Sequence, residues 1–318
     1  MRWTDSVARR IKLRDLQVLL AVANSGSMGR AAVDLAVSQP AISKAITDLE
    51  HELGVRLFDR SPQGVVPTIY GDAILKSATA IFDDLRQGVK AIEFLGDPTA
   101  GELRIGTSPP LSAGFVPTVI ESLAQEHQRF TFEIVAAELA ALHRELRDRR
   151  IDLAIAPTTG LPPQDDMNAE VLFFDQHVAM AGVQCKWTQR RKIAWSDVVN
   201  ERWVLAPPQS VVLEYLVQAF HAAGIKPPNI NVATLSIPLH FHLLGTGGYL
   251  AFLPVSTLCF GAKGHSLKAL RLASPVKPSP VAVLTLKNRT LSPAAKTFID
   301  LAHTIAKKAR GELPIGTD

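Results

Sequence analysis

The stretch AAVDLAVSQPAISKAITDLEHELG, residues 31–54, decides the fold of the N-terminal part of the chain. Its apolar residues recur at steps of three and four on both sides of a short break: Ala31, Ala32 and Leu35 before it, and Ile42, Ala45, Ile46, Leu49 and Leu53 after it. Ser38 stands where a second helix should begin, and Pro40 falls in its first turn, where a missing N–H costs little. The proline thus marks a helix entrance. With the apolar stripe turned inward, Gln39, Ser43, Lys44 and Thr47 lie on the opposite, solvent-facing side. Two helices joined by a tight turn, with alanines where they cross, make a helix-turn-helix, whose second helix fits the DNA major groove. Short side chains at the entrance, Ser38 and Pro40, let such a helix approach base edges. Gln39 suits adenine, Ser43 either a donor or an acceptor, and Lys44 a phosphate or guanine. An ordinary helical hairpin with a solvated polar face shows the same pattern, so the flanking sequence has to separate the two.

Toward the N-terminus, Leu13, Leu16, Leu20 and Ala23 predict a helix over residues 13–24, closed by Asn24-Ser25-Gly26-Ser27, with Ser27 capping the next helix. Toward the C-terminus, VRLFDRSPQGVVPTIYG, residues 55–71, reads as two short β-prone runs around the turn Ser61-Pro62-Gln63-Gly64. Such a hairpin is a wing, and it places Arg60 and the turn backbone to touch phosphates.

Together these residues resemble the N-terminal domain of LysR-type transcriptional regulators. The pattern is carried by Ala31, Ala32, Leu35, the run Ser38-Gln39-Pro40-Ala41-Ile42-Ser43, then Leu49, Glu50, Gly54, Leu57, Phe58, Arg60, Thr68 and Gly71. Three features depart from it. Lys44 stands where the family usually has arginine, which replaces a bidentate fork by a point charge; Leu19 and Met28 replace phenylalanines; and Pro67 replaces a leucine, which suits an edge or terminal position in the wing. The resemblance implies sequence-specific binding of double-stranded promoter DNA through Ser38, Gln39, Pro40, Ser43, Lys44, Thr47 and Arg60.

After the wing, Ile74, Ala78, Ile81, Leu85, Ile92 and Leu95 follow alternating steps of four and three, with Gly88 in the missing position. This heptad seam predicts a long helix that pairs with a second copy of itself. In LysR-type regulators the equivalent helix joins a homodimer, which two-fold symmetry matches to a pseudo-palindromic site, and family members assemble further to a homotetramer. GDPTAG, residues 96–101, is a cluster of turn formers where a new domain begins.

Beyond it, short apolar runs alternate with helical stretches, which predicts βαβ units, a largely parallel sheet and two α/β lobes. The order of GELRIG (101–106), IDLAIAP (151–157) and GTGGYLAFLP (245–254) resembles the LysR-type effector-binding domain, which looks like a two-lobed periplasmic solute-binding fold. The expected fold class is therefore mainly α/β, a winged helix-turn-helix and linker helix followed by that two-lobed domain. The expected domains are a DNA-binding domain over 1–68, a linker and dimerisation helix over 69–95, a hinge over 96–101 and an effector-binding domain over 102–318. Lobe I would take about 102–173 and 275–311, and lobe II about 174–274. In such sheets small molecules bind beyond the carboxyl ends of strands. That rule selects TSPPLS, PPQS and TLS, and within them Thr107, Ser108, Ser112, Gln209, Ser210 and Ser236, with Thr158 at the cleft edge, as contacts for a small-molecule effector. A cleft of hydroxyls and amides is expected to be neutral. PLHFHLLGTGGYLAFLP (238–254) more loosely resembles the subgroup that includes the galactose-binding-protein regulators.

Other functions find little support in the sequence. GTGGY precedes an apolar strand instead of joining a strand to a helix, so it is not a dinucleotide loop, and no G-x-S-x-G, H-E-x-x-H or catalytic cysteine motif appears. No enzymatic activity, metal or cofactor is expected. Cys185 and Cys259 match no zinc or redox spacing and read as reduced thiols. With 47% hydrophobic and 20% charged residues the chain can build a packed core, and a net charge of +4 tolerates a polyanion without demanding one. No apolar run is long enough for a membrane span or a secretory signal, so a cytoplasmic location away from membranes is expected. RNA polymerase is a further expected partner if the protein activates transcription. The competing reading is a solute-binding protein without a transcriptional role, which would leave the N-terminal motif unexplained.

Overall fold

The computed structural model describes residues 10–61, 64–159, 162–261 and 266–309. The chain forms two compact units that divide between Gln87 and Gly88.

The first unit begins with helices α1 (Leu13–Ser25), α2 (Met28–Asp34) and α3 (Gln39–Leu53). Their apolar stripes meet in one core that includes Leu19, Val22, Ala31, Ile42, Ile46 and Leu53. The hydroxyl of Ser27 caps α2 by accepting from the N–H of Arg30 at 3.4 Å. Between α2 and α3 the chain reverses through Ala36, held at φ 53°, a left-handed conformation that L-residues adopt at a cost. Strands β1 (Phe58–Ser61) and β2 (Gly64–Pro67) pair antiparallel, from Phe58 opposite Pro67 to Ser61 opposite Gly64. Pro67 thus closes its strand; Pro62 and Gln63, the centre of the expected turn, lie outside the described residues.

A junction of four hydrogen bonds fixes α3 against the hairpin and against the next helix, α4 (Ile69–Gly96). Glu50 Oε1 accepts from the N–H groups of Leu57 (2.7 Å) and Phe58 (3.3 Å). Thr68 caps α4: its Oγ1 accepts from the N–H of Gly71 at 3.1 Å and donates to the carbonyl of Arg56 at 2.8 Å. A Cβ at Gly71 would collide with the carbonyl oxygen of Leu57, so only glycine lets α4 pass this close to the hairpin.

The apolar seam expected along α4 divides in two. Ala78 is buried in the core of the first unit and Ile74 packs against that core, whereas Ile81, Leu85, Ile92 and Leu95 are exposed, the last at 81%. Val89, also exposed, occupies the row beside Gly88. The unpartnered row therefore starts at Ile81, because the N-terminal turns are already committed to the domain they leave.

The second unit continues with β3 (Ala100–Thr107), α5 (Pro109–Ser112), α6 (Phe115–Glu126), β4 (Arg129–Ala136), α7 (Leu139–Arg147), β5 (Leu153–Pro157), β6 (Met167–Asp175) and β7 (His177–Gly182). It is completed by α8 (Trp195–Val198), β8 (Trp203–Leu205), α9 (Val211–Ala222), β9 (Ile230–Ala233), α10 (Ile237–Gly245), β10 (Leu250–Pro254), β11 (Leu267–Ala269), β12 (Ser279–Leu286) and α11 (Pro293–Ala309). Two five-stranded sheets result, ordered β4-β3-β5-β12-β6 and β11-β7-β10-β8-β9. Each has its own core, one around Phe115, Phe173 and Phe298, the other around Trp195, Trp203 and Phe252. The expectation of a largely parallel sheet fails at the strands that change sheets. β3 runs parallel to β4 and β5, and β8 to β9 and β10, but β12 is antiparallel to β5 and β6, and β7 to β10 and β11. β6 feeds straight into β7 without a helix to reverse it, so the crossing strands run against their neighbours. Cys185 and Cys259 are not joined by a disulfide, and among the described residues no helix is long and apolar enough to cross a membrane.

The crossover between the sheets is tied by hydrogen bonds. Asp175 Oδ1 accepts from the N–H of Ser256 (3.1 Å), and the carbonyl of Gln176 accepts from the N–H of Val255 (2.8 Å). Gln176 Nε2 donates to the carbonyl of Val276 on the returning segment at 3.4 Å, and Asp175 pairs with Ser279 across β6 and β12. Burial raises the Asp175 carboxyl to a pKa of about 6, against the opposing hydrogen bonds from Ser256. Burial lowers His177 to about 4. A second polar knot holds β3 to β5: Asp152 accepts from Arg104 (3.0 Å) and from Arg289 (2.8 Å), while Lys90 of α4 lies 3.9 Å away. Burial works against the charged form of Asp152, but hydrogen bonds and charge from Arg104 and the charge of Lys90 keep its pKa below the ordinary value.

Two stability effects follow. Asp152→Ala removes a buried carboxylate that accepts from Arg104 and from Arg289, whose side chain is only 1% exposed, and is expected to cost about 3–5 kcal/mol in urea unfolding of the second unit; a loss below about 0.5 kcal/mol would contradict the role given to this knot. Asp175 and His177 act in opposite directions. A raised carboxyl favours the folded state at low pH and loses that contribution as pH climbs from about 4 to about 6, whereas a lowered imidazole costs stability as pH falls from 6.5 toward about 4. Asp175→Asn is therefore expected to make stability rise more steeply with pH between 4 and 6 than in the unsubstituted protein, and His177→Gln to make it fall, each by up to about 3 kcal/mol. Thermal midpoints measured across that range check it, and two variants that run parallel to the parent would refute it.

Candidate functional site

Among the described residues, two places present polar chemistry to a partner. The first is the outer face of α3. Its stripe of Ile42, Ile46, Leu49 and Leu53 is buried, which turns Gln39, Lys44 and Thr47 outward and leaves Ser43 half-buried at the edge. Pro40 sits in the first turn as the sequence requires, but the Ser38 side chain makes no capping bond. The backbone carbonyl of Ser38 takes the N–H groups of Ala41 (3.0 Å) and Ile42 (3.3 Å) instead, and Ser38 is exposed. Arg60 reaches back from β1 so that its Nη1 lies 3.5 Å from Ser43 Oγ, and Thr47 Oγ1 donates to the Ser43 carbonyl at 2.9 Å. The seven residues selected from the sequence thus lie along α3 and the adjoining strand, with Arg60 and Ser43 in direct contact. An exposed helix face of short polar side chains, flanked by a lysine and an arginine, presents donors and acceptors at its N-terminal half and positive charge at its margin.

The second place is a cavity of 140 Å³ between the two sheets of the second unit. Six strands deliver it. Ser108 follows β3, Glu138 follows β4 and Thr159 follows β5, while Ala206 follows β8, Thr234 follows β9 and Pro254 ends β10. All six lie at carboxyl ends, so the parallel strands of both sheets aim the same end at one space. The crossover residues Asp175 and His177, together with Ser279, line it as well. Most of the remaining wall is apolar, from residues such as Leu111, Val212, Ile237 and Phe252.

Among the seven residues proposed from the sequence for this cleft, Ser108 lines the cavity. Thr107 is fully buried beneath it, with Oγ1 donating to the Ser108 carbonyl at 3.4 Å. Ser210 and Ser236 cap α9 and α10, accepting from Leu213 and Leu239 at 3.1 and 3.4 Å, and Ser112 donates to the Pro109 carbonyl at 2.7 Å. Thr158 binds the carbonyl of Pro280, while its neighbour Thr159 faces the space; Gln209 is exposed. Of the three loops, TSPPLS and TLS contribute to the cavity wall while PPQS does not, and the hydroxyls of Ser210 and Ser236 are occupied by the helix starts that made them visible.

The cleft is not neutral, contrary to the expectation from its hydroxyls. Glu138, Asp175, His177 and His240 all line it, and no Lys or Arg does among the described residues. The signal for two of them was the Asp-Gln-His interruption of the apolar run in FFDQHVAMAG (173–182); for Glu138 it was an acidic residue at a helix start in AAELAALHREL (136–146).

The bacterial regulatory helix-turn-helix model of the lysR family matches residues 13–72, and the LysR substrate binding domain model matches residues 96–306. The HTH-type transcriptional regulator YdcI of Escherichia coli K12 is 28% identical over 92% of this chain and 95% of its own length. The HTH-type transcriptional regulator GbpR of Azospirillum brasilense is 27% identical over 91% of this chain and 85% of its own. Among solved structures, full-length CbnR complexed with its target DNA superposes with a TM-score of 0.53 at 19% identity, over 93% of this chain and 100% of that one, a likeness of fold. The two matched models account for both the helix-turn-helix and the two-sheet unit, and the chain belongs to the LysR family of DNA-binding transcriptional regulators.

Proposed function

We propose that this regulator reads promoter DNA with the exposed face of α3 and the wing, and that a small molecule in the cavity between the sheets sets its activity. The observation that carries the reading is the convergence of six strand ends from both sheets on one largely apolar space, with the interlobe crossover in its wall. A ligand there touches both sheets and the segment that joins them, so it binds two arrangements of the lobes with different affinity, which is what a switch requires. Ser38, Gln39, Pro40, Ser43 and Thr47 form the base-reading surface in this account, with Lys44 and Arg60 on phosphates or guanine. The division of labour follows the sequence: residues 1–68 bind DNA, 69–95 pair subunits, 96–101 form a hinge and 102–318 sense the effector. The exposed row Ile81, Leu85, Val89, Ile92 and Leu95 supports pairing of α4 with a second copy, giving a homodimer that presents two winged domains to a pseudo-palindromic site. We place the protein in the cytoplasm, as a homotetramer built from such dimers, with RNA polymerase as a partner where it activates. CbnR, complexed with its target DNA, is a relative in fold that supports the DNA side of this reading.

Ser43→Ala separates base reading from general affinity. Removing its hydroxyl is expected to lower the preference for cognate over scrambled DNA about tenfold, with scrambled binding unchanged within about twofold, in anisotropy titrations at fixed salt. Equal losses on both DNAs would remove Ser43 from the reading surface.

A further inference from the structure

The cavity's own chemistry narrows the ligand class, on the reading that it is the effector site. Glu138 heads α7, and its Oε1 is closed off from solvent with no hydrogen-bond partner. Nδ1 of His177 is in the same position. His240 Nδ1 lies 2.9 Å from the carbonyl oxygen of Ser236, so it carries the ring proton and leaves Nε2 as an acceptor. Burial holds the pKa of both histidines below the ordinary value, which leaves them neutral near pH 7. Asp175 adds a second carboxyl, and no cation lines the space among the described residues. Two of the helix starts around the cavity, those of α9 and α10, already have a capping hydroxyl, from Ser210 and Ser236, and a third, that of α7, carries the acidic side chain of Glu138. These acidic and imidazole groups do not cluster as metal ligands do among the described residues. A ligand carboxylate would bring a further negative charge into a low-dielectric space beside Glu138 and Asp175, whereas a protonated amine would satisfy an orphaned acceptor and neutralise charge. An apolar cavity of about 150 Å³ takes a benzene ring, and this one is 140 Å³.

We propose that the cavity binds a small amphiphile with an apolar body about the size of a benzene ring and a protonated amine that pairs with Glu138. The test uses three probes of matched shape: benzylamine, benzyl alcohol and benzoate, titrated calorimetrically into the full-length protein at pH 7.5. Benzylamine is expected to bind at least tenfold more tightly than benzoate. Glu138→Gln is expected to weaken benzylamine at least tenfold and leave benzyl alcohol within about twofold. Thr234→Trp, which fills the cavity, is expected to remove all binding. Tighter binding of benzoate, an unaltered benzylamine affinity in Glu138→Gln, or no benzylamine binding at millimolar concentration each overturns the amine assignment. The effector-site reading fails separately. It is lost if benzylamine binds as expected in the cavity while the protein–DNA complex, followed by anisotropy and DNA bending, is identical with and without it. It survives if benzoate binds there and alters the complex.

Discussion

The hydrogen bonds that tie Asp175 and Gln176 to Ser256, Val255 and Val276 are the constraint on which the second unit depends. They hold two separate sheets at one edge through two adjacent chain crossings. Because β6 and β12 pair across Asp175 and Ser279, the crossings lie side by side, and the carboxyl ends of strands from both sheets are brought to one cavity. A buried carboxylate is a costly anchor, which is visible in its raised pKa. Its position explains why it is there: the same group that accepts the Ser256 N–H also faces the cavity, so the tie between the lobes and the wall of the site are one residue.

The first unit rests on a different kind of contact. Glu50 and Thr68 hydrogen-bond to backbone groups, and Gly71 lets α4 pass close to Leu57, so that together they lock α3, the hairpin and α4. Much of the pattern that marks the family in the sequence is therefore architectural. Its function is to set the pose of a short polar face whose own side chains make few contacts within the chain. The cost of the left-handed Ala36 belongs to the same logic, since it sets the turn that brings α2 onto α3.

How much of this the sequence revealed depended on whether the signal was local. The periodicity of residues 31–54, Pro40 in the first helical turn and the close of α1 at Gly26 are local, and the three helices lie where they indicate. The long helix was legible too, but not the split of its seam, because Ala78 is buried by residues distant in sequence. Strand direction was misread since alternation of runs does not say which strand changes sheets, and β6 and β11 were not anticipated. In the cleft, hydroxyls at helix starts were legible because they cap helices, and for Ser210 and Ser236 that same capping occupies the oxygen. Asp175 and His177 showed only as a polar interruption of an apolar run, since their place in the cavity comes from a crossing that exists only in three dimensions.

Hydroxyl-radical footprinting of the full-length protein on the DNA flanking its own gene decides whether the outer face of α3 reads a two-fold DNA site. Two protected half-sites are expected on one face of the duplex, separated by whole helical turns of about 10 base pairs and absent from a scrambled duplex at the same salt. Protection spread evenly over any sequence, or confined to a single unrepeated patch, would contradict that reading.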